Sequence, residues 1–367
     1  MSRDTVVFES WRGKYSDSPR AVSERLGELR PDLRRIWVVS GPDVQLPDDV
    51  ERVVRNTPAY FLRIASARYF LSNDMMPRYP LKTRRTTYVQ LWHGTPLKRI
   101  GFDVPDAKYA GADVYSRRLA KDVRRWDHLV SPNHFSTGKL QQAFRYSGSV
   151  LELGYPRNDV LSGPGADELR AKVRAELGLA PSARAVLYTP TWRDDALTGS
   201  AKPNPLAAEA EQVLGRLPDE TVLLFRFHHL VAASSPVPRH PRVLDVSDHP
   251  DIQALYLAAD LMITDYSSTM FDFAVTGRPM VFYTYDLADY RDQLRGFYFD
   301  LEAEAPGPLV TTAEELIAAL ADEDGLRRRY APAYDAFRQR YNHLDDGRAT
   351  DRLIERVFQP AGRSDRR

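Results

Sequence analysis

Short apolar runs alternate with helical patterns along most of the chain, and this alternation limits the possible folds more than any other sequence feature. Nine runs have the length and composition of strands: Thr5–Phe8, Arg35–Ser40, Thr87–Trp92, Leu129–Ser131, Ala185–Thr189, Val222–Phe227, Arg242–Asp245, Leu261–Thr264 and Pro279–Tyr283. Seven segments have helical patterns: Pro19–Arg30, Ala112–Arg124, Phe135–Phe144, Ala166–Leu177, Leu206–Leu217, Ile252–Ala258 and Ala313–Leu320. Many strand runs are apolar throughout, as expected when helices cover both faces of a sheet. The pattern predicts an α/β fold with open parallel sheets.

A stretch rich in Gly and Pro divides the chain into halves of similar size. The length of 367 residues favours two domains, at about 150 residues each. Residues 154–165, GYPRNDVLSGPG, are typical of a link between domains. We expect an N-terminal domain over residues 1–155, a second over 156–340, and a C-terminal helix and tail over 341–367. Two such domains predict a cleft between them, with ligands at the carboxyl ends of the strands.

Composition excludes several classes of protein. Hydrophobic residues make up 43% and charged residues 28% of the chain, which are ordinary values for a soluble globular protein. The apolar runs are far shorter than the roughly 18 residues of a membrane-spanning helix. Asp4 and Glu9 stand where a signal peptide would need apolar residues, so we do not expect export by that route. The sequence contains no Cys, which excludes disulfides and thiolate metal sites.

The chain is nearly neutral overall, but its charge is unevenly distributed. Residues 1–150 hold 26 Lys and Arg against 16 Asp and Glu, and the remaining residues hold 25 against 34. Within residues 52–85, eight basic residues and five aromatic residues accompany a single acid, Asp74. Such a segment is typical of a solvated helix face, of a surface that meets an anionic membrane, or of a site for a polyanion. Because the sequence contains no nucleic-acid-binding motif, we do not expect a nucleic acid partner.

The first candidate for chemistry is His93, in the stretch VQLWHGTPLKRIG of residues 89–101. It directly follows a predicted strand, so it is expected at the carboxyl edge of a sheet. Gly94 permits close approach of a ligand to the backbone, and Lys98 adds positive charge. A neutral imidazole at this place can take a proton from an alcohol, although a purely structural histidine is the alternative.

Two junctions in the second half offer groups that suit a phosphate. Arg193 follows the strand at residues 185–189, and a guanidinium makes paired hydrogen bonds to phosphate oxygens. It suits a surface ion pair with a neighbouring aspartate equally well. His228 and His229 follow the next strand. Adjacent residues of an extended chain point in opposite directions, and no carboxylate cluster lies nearby, so we expect no metal site there.

Two further junctions complete the candidate set. Asp265 follows a buried strand, and Ser267 and Ser268 then precede an apolar helix. The two serines suit either plain helix capping or binding of a diphosphate at the helix start. Near the N-terminus, Gly13 lies in a strand-to-loop junction, FESWRGKYSDSP, that is expected to border the cleft. The residues therefore predict a two-domain α/β enzyme that binds a phosphorylated donor between its domains.

Eight stretches identify a resemblance to a known family. They are FES..GKYSDSP (8–19), YVQLWHGTPLK (88–98), SPNHFSTGKLQQAF (131–144), GYPRND (154–159), YTPTWRD (188–194), RFHH (226–229), DYSSTMFDFA (265–274) and RGFYFDLEAEAPGP (295–308). In these stretches, and in their order, the chain resembles the CDP-glycerol glycerophosphotransferases, which build teichoic acids and related phosphate-linked polymers. The resemblance implies a GT-B-like architecture of two Rossmann-like domains, with the nucleotide held mainly by the C-terminal one. It also implies transfer of glycerol phosphate from CDP-glycerol to a hydroxyl, with release of CMP.

The resemblance also implies roles for individual residues. His93 matches the general base, and His228 matches the histidine of the family's basic-x-His motif. Matching donor-site positions are Arg193, Asp265, Ser267 and Ser268, and we expect Thr191 to bind the donor with them. The family commonly has Pro where this chain has His229, so it stays open which of the two neighbouring histidines faces the donor. These motifs include no metal-ligand set, and we expect neither a metal nor a cofactor.

The resemblance implies a lipid-linked or polymeric acceptor and a cytoplasmic enzyme bound peripherally to the inner face of the cell membrane. The basic segment of residues 52–85 would then meet the anionic membrane surface. Several alternatives stay open. They are CDP-ribitol as the donor, a single priming transfer instead of polymerisation, a GT-B glycosyltransferase that uses a nucleotide sugar, and an inactive module that binds an anionic polymer.

Overall fold

Parallel pairing dominates the strands of this protein, whose structure is a computed structural model. It describes residues 4–77, 82–104, 112–191, 204–227, 236–287, 296–298 and 300–358. The chain divides into two units. The first comprises Met1–His93, Ile100–Gly163 and His343–Arg367, and the second comprises Gly94–Arg99 and Pro164–Asn342. The domain limits expected from the sequence stay a prediction.

Each unit contains one parallel sheet. In the first, the described strands are β1 (Thr5–Glu9), β2 (Arg34–Val39), β3 (Glu51–Val54), β4 (Tyr69–Ser72), β5 (Thr87–Gln90), β6 (His128–Ser131) and β7 (Ser149–Glu152). Their order is β3-β2-β1-β4-β5-β6-β7. In the second, they are β8 (Arg184–Thr189), β9 (Thr221–Phe225), β10 (Val243–Asp245), β11 (Leu261–Thr264), β12 (Met280–Tyr283) and β13 (Leu309–Val310). Their order is β10-β9-β8-β11-β12-β13, so both sheets have the doubly wound arrangement.

The described helices connect and cover these strands. They are α1 (Asp17–Leu29), α2 (Pro58–Ser66), α3 (Ala112–Val123), α4 (His134–Phe144), α5 (Asp159–Ser162), α6 (Ala166–Glu176), α7 (Pro205–Leu214), α8 (Ile252–Ala258), α9 (Thr269–Phe273), α10 (Leu301–Glu304), α11 (Ala313–Ala321), α12 (Glu323–Tyr341) and α13 (Ala349–Val357). None of these described helices is both long enough and apolar enough to cross a bilayer.

The core of the first unit lies on both faces of its sheet, which explains why its strands are continuously apolar. Val6 and Phe8 of β1 pack on one face in a cluster that includes Leu353 of α13. Val7, between them, packs on the opposite face with Tyr60 of α2. All these side chains are almost fully buried. The two covered parallel sheets confirm the predicted fold class.

Helix α13 belongs to the first unit although it follows the whole second unit in the sequence. Its Asp351 accepts a hydrogen bond from Arg25 Nε of α1 at 2.7 Å. Leu353 and Ile354 complete the apolar contact with the sheet, together with Phe358 just beyond the helix. The chain therefore returns to its N-terminal unit near its C-terminus.

All nine predicted strands and all seven predicted helices are present, with ends shifted by at most three residues. The prediction missed four strands, namely β3, β4, β7 and β13. Three of these lie at sheet edges, and two of the three, ERVV in β3 and SVLE in β7, contain only two apolar residues each. It also missed α2, α5 and α10, and it did not delimit α9, α12 or α13. Helix α12 contains Pro332 in its interior.

Candidate active site

His93 lies at the carboxyl edge of the first sheet, next to the point where the strand order reverses. Leu91 N, just beyond β5, donates to Ser72 O at 2.8 Å and so extends the pairing with β4. Trp92 then adopts a left-handed φ of 50° and turns the chain. The Nδ1 atom of His93 lies 2.9 Å from the carbonyl oxygen of Asn73, which follows β4. In doubly wound sheets, ligands bind at this edge, where β1 and β4 diverge.

The hydrogen bond to Asn73 determines the tautomer of His93. A carbonyl oxygen only accepts, so Nδ1 carries the proton and Nε2 keeps its lone pair. Within the described residues, Nε2 has no hydrogen-bond partner. Burial lowers the pKa of His93 below its usual value, and the Asn73 carbonyl and the Asp17 carboxylate oppose this effect only in part. A neutral imidazole with an available Nε2 is what a general base requires near neutral pH.

Two tryptophans enclose the His93 ring. The Trp92 ring stacks on it with centroids 4.0 Å apart, and the Trp11 ring packs on it at 4.7 Å with a tilt of 50°. Trp11 follows β1, and its backbone N donates to Asn73 Oδ1 at 3.2 Å. Both tryptophans have positive φ, a conformation that is rare for bulky residues. The loops after β1 and β5 therefore hold His93 at a cost in backbone strain, as is common at functional sites.

A buried ion pair between Arg157 and Asp17 stabilises the position of His93 and Trp11. Arg157 Nη1 donates to both carboxylate oxygens of Asp17, at 3.1 and 3.2 Å, and to the carbonyl oxygen of His93 at 3.1 Å. Trp11 Nε1 donates to Asp17 Oδ2 at 3.0 Å. Burial alone would raise the pKa of Asp17, but the charge of Arg157 and the hydrogen bonds from Ser18 and Trp11 hold it below its usual value. Asp17 therefore stays ionised and orients both the Trp11 ring and the His93 backbone.

Local sequence patterns give no role to Trp11, Asp17, Asn73 or Arg157. Asp17 and Arg157 lie in two of the stretches that carry the family resemblance, residues 8–19 and 154–159. The presence of an Asp and an Arg, which have opposite charges, in two such stretches was the only sequence signal that these residues could form an ion pair. No sequence signal pointed to Asn73, because it binds His93 through its backbone carbonyl oxygen, which every residue has.

A second buried acid, Asp122, anchors the loop that carries Asn73. Met76 N donates to Asp122 Oδ1 at 3.2 Å, and Trp126 Nε1 donates to Oδ2 at 2.9 Å. The hydroxyl of Tyr88 lies 3.3 Å from Oδ2. Burial raises the pKa of Asp122 to about 7. The loop next to His93 is thus attached to a carboxyl group that changes charge near neutral pH.

The three expected cleft-loop residues have different surroundings. Gly13 has a φ of 110°, and a Cβ atom there would lie 2.2 Å from the backbone N of Ser40. Only glycine fits this turn, so the observed role of Gly13 is to let the loop after β1 pack on the end of β2. Gly94 directly follows His93 and is buried. Lys98 pairs with Phe297 in an isolated antiparallel bridge of the second unit.

In the second unit, Thr191 and Asp265 meet at the corresponding reversal of strand order. Thr191 follows β8 and Asp265 follows β11, and these two strands are neighbours. Thr191 N donates to Asp265 Oδ1 at 2.8 Å. Asp265 is 1% exposed, so its carboxylate holds the loop after β8 instead of facing solvent. The structure brings these two predicted residues together.

The hydroxyls of Ser267 and Ser268 contribute little to capping of helix α9. Ser268 stands at the N-cap of α9, but its side chain makes no capping hydrogen bond and the residue is exposed. Ser267 Oγ accepts from Thr269 N at 3.4 Å, which is long for a hydrogen bond. Plain helix capping therefore explains little of this serine pair.

Three predicted site residues, Arg193, His228 and His229, lie outside the described residues. Arg226, two positions before His228, donates through Nη1 to the carbonyl oxygens of Val246 and His249, at 3.0 and 2.8 Å. It thus secures the segment after β10. Among the described residues, no group of three or more His, Asp or Glu side chains could hold a metal ion.

The basic segment of residues 52–85 is spread over several elements of the first unit. Four of its basic side chains make hydrogen bonds or ion pairs within that unit: Arg52, Arg55, Arg63 and Lys82. Arg55 Nε, for example, donates to the buried Glu9 at 2.5 Å. The Arg68 guanidinium lies over the Tyr69 ring, 5.2 Å from its centroid. Arg78 lies outside the described residues. Much of the positive charge in this segment therefore stabilises the fold of the first unit.

Comparison with known proteins places this geometry in a family. The chain is 40% identical to the teichoic acid glycerol-phosphate transferase of Staphylococcus aureus, over 98% of this chain and 94% of that protein. It is 36% identical to the teichoic acid poly(glycerol phosphate) polymerase of Bacillus subtilis, over 98% of this chain but only 49% of that protein. The chain thus spans about half the length of the latter relative. The solved structure of the wall teichoic acid polymerase TagF superposes with a TM-score of 0.91 at 35% identity, over 98% of this chain and 89% of that chain.

Relatives named for ribitol phosphate match less well. The teichoic acid ribitol-phosphate polymerase TarK of Staphylococcus aureus is 32% identical, over 81% of this chain and 57% of that protein. Residues 1–359 match the family described as CDP-Glycerol:Poly(glycerophosphate) glycerophosphotransferase. The resemblance predicted from eight sequence stretches is confirmed, and with it membership of a family of transferases. The chain therefore belongs to the CDP-glycerol:poly(glycerophosphate) glycerophosphotransferase family.

Proposed function

We propose that this protein transfers glycerol phosphate from CDP-glycerol to a hydroxyl of a lipid-linked or polymeric acceptor and releases CMP, in the synthesis of a teichoic-acid-like polymer. The observation that carries the proposal is the state of His93. Its Nδ1 is bound by the Asn73 carbonyl, and its Nε2 is available where the strand order of the first sheet reverses. Family membership supports the choice of donor.

The proposed reaction is an in-line displacement at phosphorus. The acceptor oxygen attacks the β-phosphorus of CDP-glycerol, and the bond from that phosphorus to the bridging oxygen breaks. His93 Nε2 takes the hydroxyl proton, and CMP leaves with the electrons of the broken bond. General-base assistance of this kind contributes about 10²–10⁴-fold in rate.

The second unit holds the donor in this proposal. Ser267 and Ser268 donate hydrogen bonds to the diphosphate, while Arg193 and His228 offset the charge that grows on the leaving CMP. Asp265 acts as a positioning residue, because its carboxylate holds Thr191 N at the end of β8. Electrostatic placement of such groups usually supplies most of the acceleration in phosphoryl transfer.

A donor screen tests this function and separates it from its rivals. Purified protein is incubated with CDP-glycerol, CDP-ribitol or a nucleotide sugar, together with a hydroxyl-terminated lipid-linked acceptor. Released nucleotide is measured, and the products are identified by mass spectrometry. We expect CMP release and an added glycerol phosphate only with CDP-glycerol. Turnover only with CDP-ribitol or only with a nucleotide sugar would show that CDP-glycerol is not the donor. Binding of the substrates without turnover would favour an inactive binding module.

We further propose that the protein works at the cytoplasmic face of the membrane and docks there through Arg68, Arg84 and Arg85. Within the described residues, none of the three makes an ion pair. Arg68 directly precedes β4, and Arg84 and Arg85 lie just before β5, its neighbour. All three therefore lie at the amino edge of the first sheet, opposite the edge that carries His93. Each is worth on the order of 1 kcal/mol near an anionic surface, together about 3 kcal/mol.

Co-sedimentation with vesicles tests the docking surface. We expect the wild type to sediment with anionic vesicles and the double variant Arg84→Glu with Arg85→Glu to remain in the supernatant. The variant Arg328→Glu with Arg329→Glu changes the same charge on exposed residues of α12 and serves as the matched control. Equal release of both variants would point to net charge alone, and equal retention would remove the docking role.

A further inference from the structure

Backbone strain is concentrated around His93. Six described residues other than glycine have positive φ, and four of them lie in the loops next to His93: Trp11, Arg12, Asp17 and Trp92. Such conformations persist only where the surrounding contacts enforce them, and they cluster at sites that bind or react. Contacts already account for three of the four, since both tryptophans pack on His93 and Asp17 binds Arg157. The turn that contains Arg12 is closed by backbone hydrogen bonds from Gly13 N and Lys14 N to Ser10 O, both at 2.8 Å, and these fix the φ of Arg12.

The Arg12 side chain makes little contact with the rest of the protein. It is 79% exposed, and its Nε lies 3.6 Å from Asp74 Oδ2, beyond hydrogen-bond distance. An exposed ion pair of this geometry contributes little stability. The turn therefore fixes the backbone of Arg12 beside the loop that carries Trp11, while the exposed guanidinium is available to a ligand.

The location of Arg12 limits what that ligand can be. Arg12 is adjacent to Trp11, whose ring covers one face of His93 and is itself partly exposed. Its neighbour Asp74 follows Asn73, which binds His93 Nδ1. A group bound by Arg12 therefore lies beside Trp11, whose ring packs on His93. In a glycerol phosphate polymer, the terminal hydroxyl and the nearest phosphate are separated by one glycerol unit.

We propose that Arg12 binds the phosphate of the terminal unit of the acceptor, while the exposed part of the Trp11 ring packs against the glycerol carbons of that unit. Guanidinium groups bind phosphate oxygens through paired, charge-assisted hydrogen bonds. The positive balance of residues 1–150 favours an anionic acceptor on this unit. The inference rests on the proposed function and adds to it a residue that binds the acceptor.

The test uses Arg12→Gln and two soluble acceptors with the same terminal hydroxyl. One acceptor ends in a glycerol phosphate unit, and the other ends in an uncharged glycerol ether. We expect Arg12→Gln to raise the KM for the phosphate acceptor by about 10- to 150-fold, the range for hydrogen bonds to charged groups. The KM for CDP-glycerol and the KM for the uncharged acceptor should be unchanged. Arg12→Lys should retain part of the affinity because it keeps the positive charge.

Arg124→Gln is the matched control, since Arg124 is an exposed arginine before β6, at the opposite edge of the sheet. An unchanged KM for the phosphate acceptor in Arg12→Gln would overturn the inference, and so would an equal rise for both acceptors. A rise in the KM for CDP-glycerol instead would assign Arg12 to the donor. Failure of the wild type to release CMP with either acceptor would refute the proposed function itself, which keeps the two failures distinct.

Discussion

Substitution of Asp122 by Asn should remove a pH dependence of stability that originates beneath the His93 site. Asp122 is 1% exposed, and its carboxyl group receives hydrogen bonds from Met76 N and Trp126 Nε1. Burial raises its pKa from 3.8 to about 7 in spite of these bonds. Asn has the same shape as the protonated acid, keeps one oxygen acceptor, and carries no charge at any pH.

The change in the free energy of unfolding with pH follows from the difference between the pKa of Asp122 in the folded state and its pKa in the unfolded state. Between pH 4 and pH 7 the folded state retains a proton on Asp122 that the unfolded state has lost. Stability from this group is therefore full below the unfolded pKa, falls as the pH rises, and levels off above the folded pKa. The shift of about 3 pH units corresponds to about 4 kcal/mol in total, of which about 1.4 kcal/mol is lost between pH 6 and pH 8.

Urea unfolding of the wild type and Asp122→Asn at pH 5, 6, 7 and 8 measures this difference. The wild type should lose stability relative to the variant by about 1.4 kcal/mol between pH 6 and pH 8. Asp48→Asn removes an exposed carboxylate from the same unit and should show no such trend. A wild-type-minus-variant difference that stays constant across this range would show that Asp122 does not titrate near neutral pH.

Three further outcomes test the site. His93→Ala should lower turnover by about 10²–10⁴-fold and leave CDP-glycerol binding intact by calorimetry, and wild-type turnover would remove the assignment as base. Ser267→Ala combined with Ser268→Ala should weaken CDP-glycerol binding while the acceptor KM is unchanged, whereas undiminished affinity would contradict a role at the diphosphate. Gly13→Ala should destabilise the protein by more than about 1 kcal/mol, because φ is 110° and the new Cβ meets Ser40 N at 2.2 Å. An unchanged Tm would show that this loop rearranges freely.

The position of His93 at a strand end could be predicted because the evidence is local. The apolar run of β5 stops at the residues just before it, and the carboxyl end of a parallel strand is where ligands bind. The same reasoning predicted the positions of Asp265 and of the two serines after β11. Continuous apolar runs also determined the fold class, since they require helices on both faces of each sheet.

The partners of His93 were decided only by the tertiary structure. Asn73, Trp11 and Arg157 follow β4, β1 and β7 respectively, and come together because β1 lies between β2 and β4 and because the segment after β7 packs beside α1. Strand order depends on how each crossover packs against the whole sheet, so no local pattern records it. Local sequence patterns therefore predict most of the elements and the ends of the strands before His93 and Asp265, whereas tertiary packing determines which strand ends meet at His93.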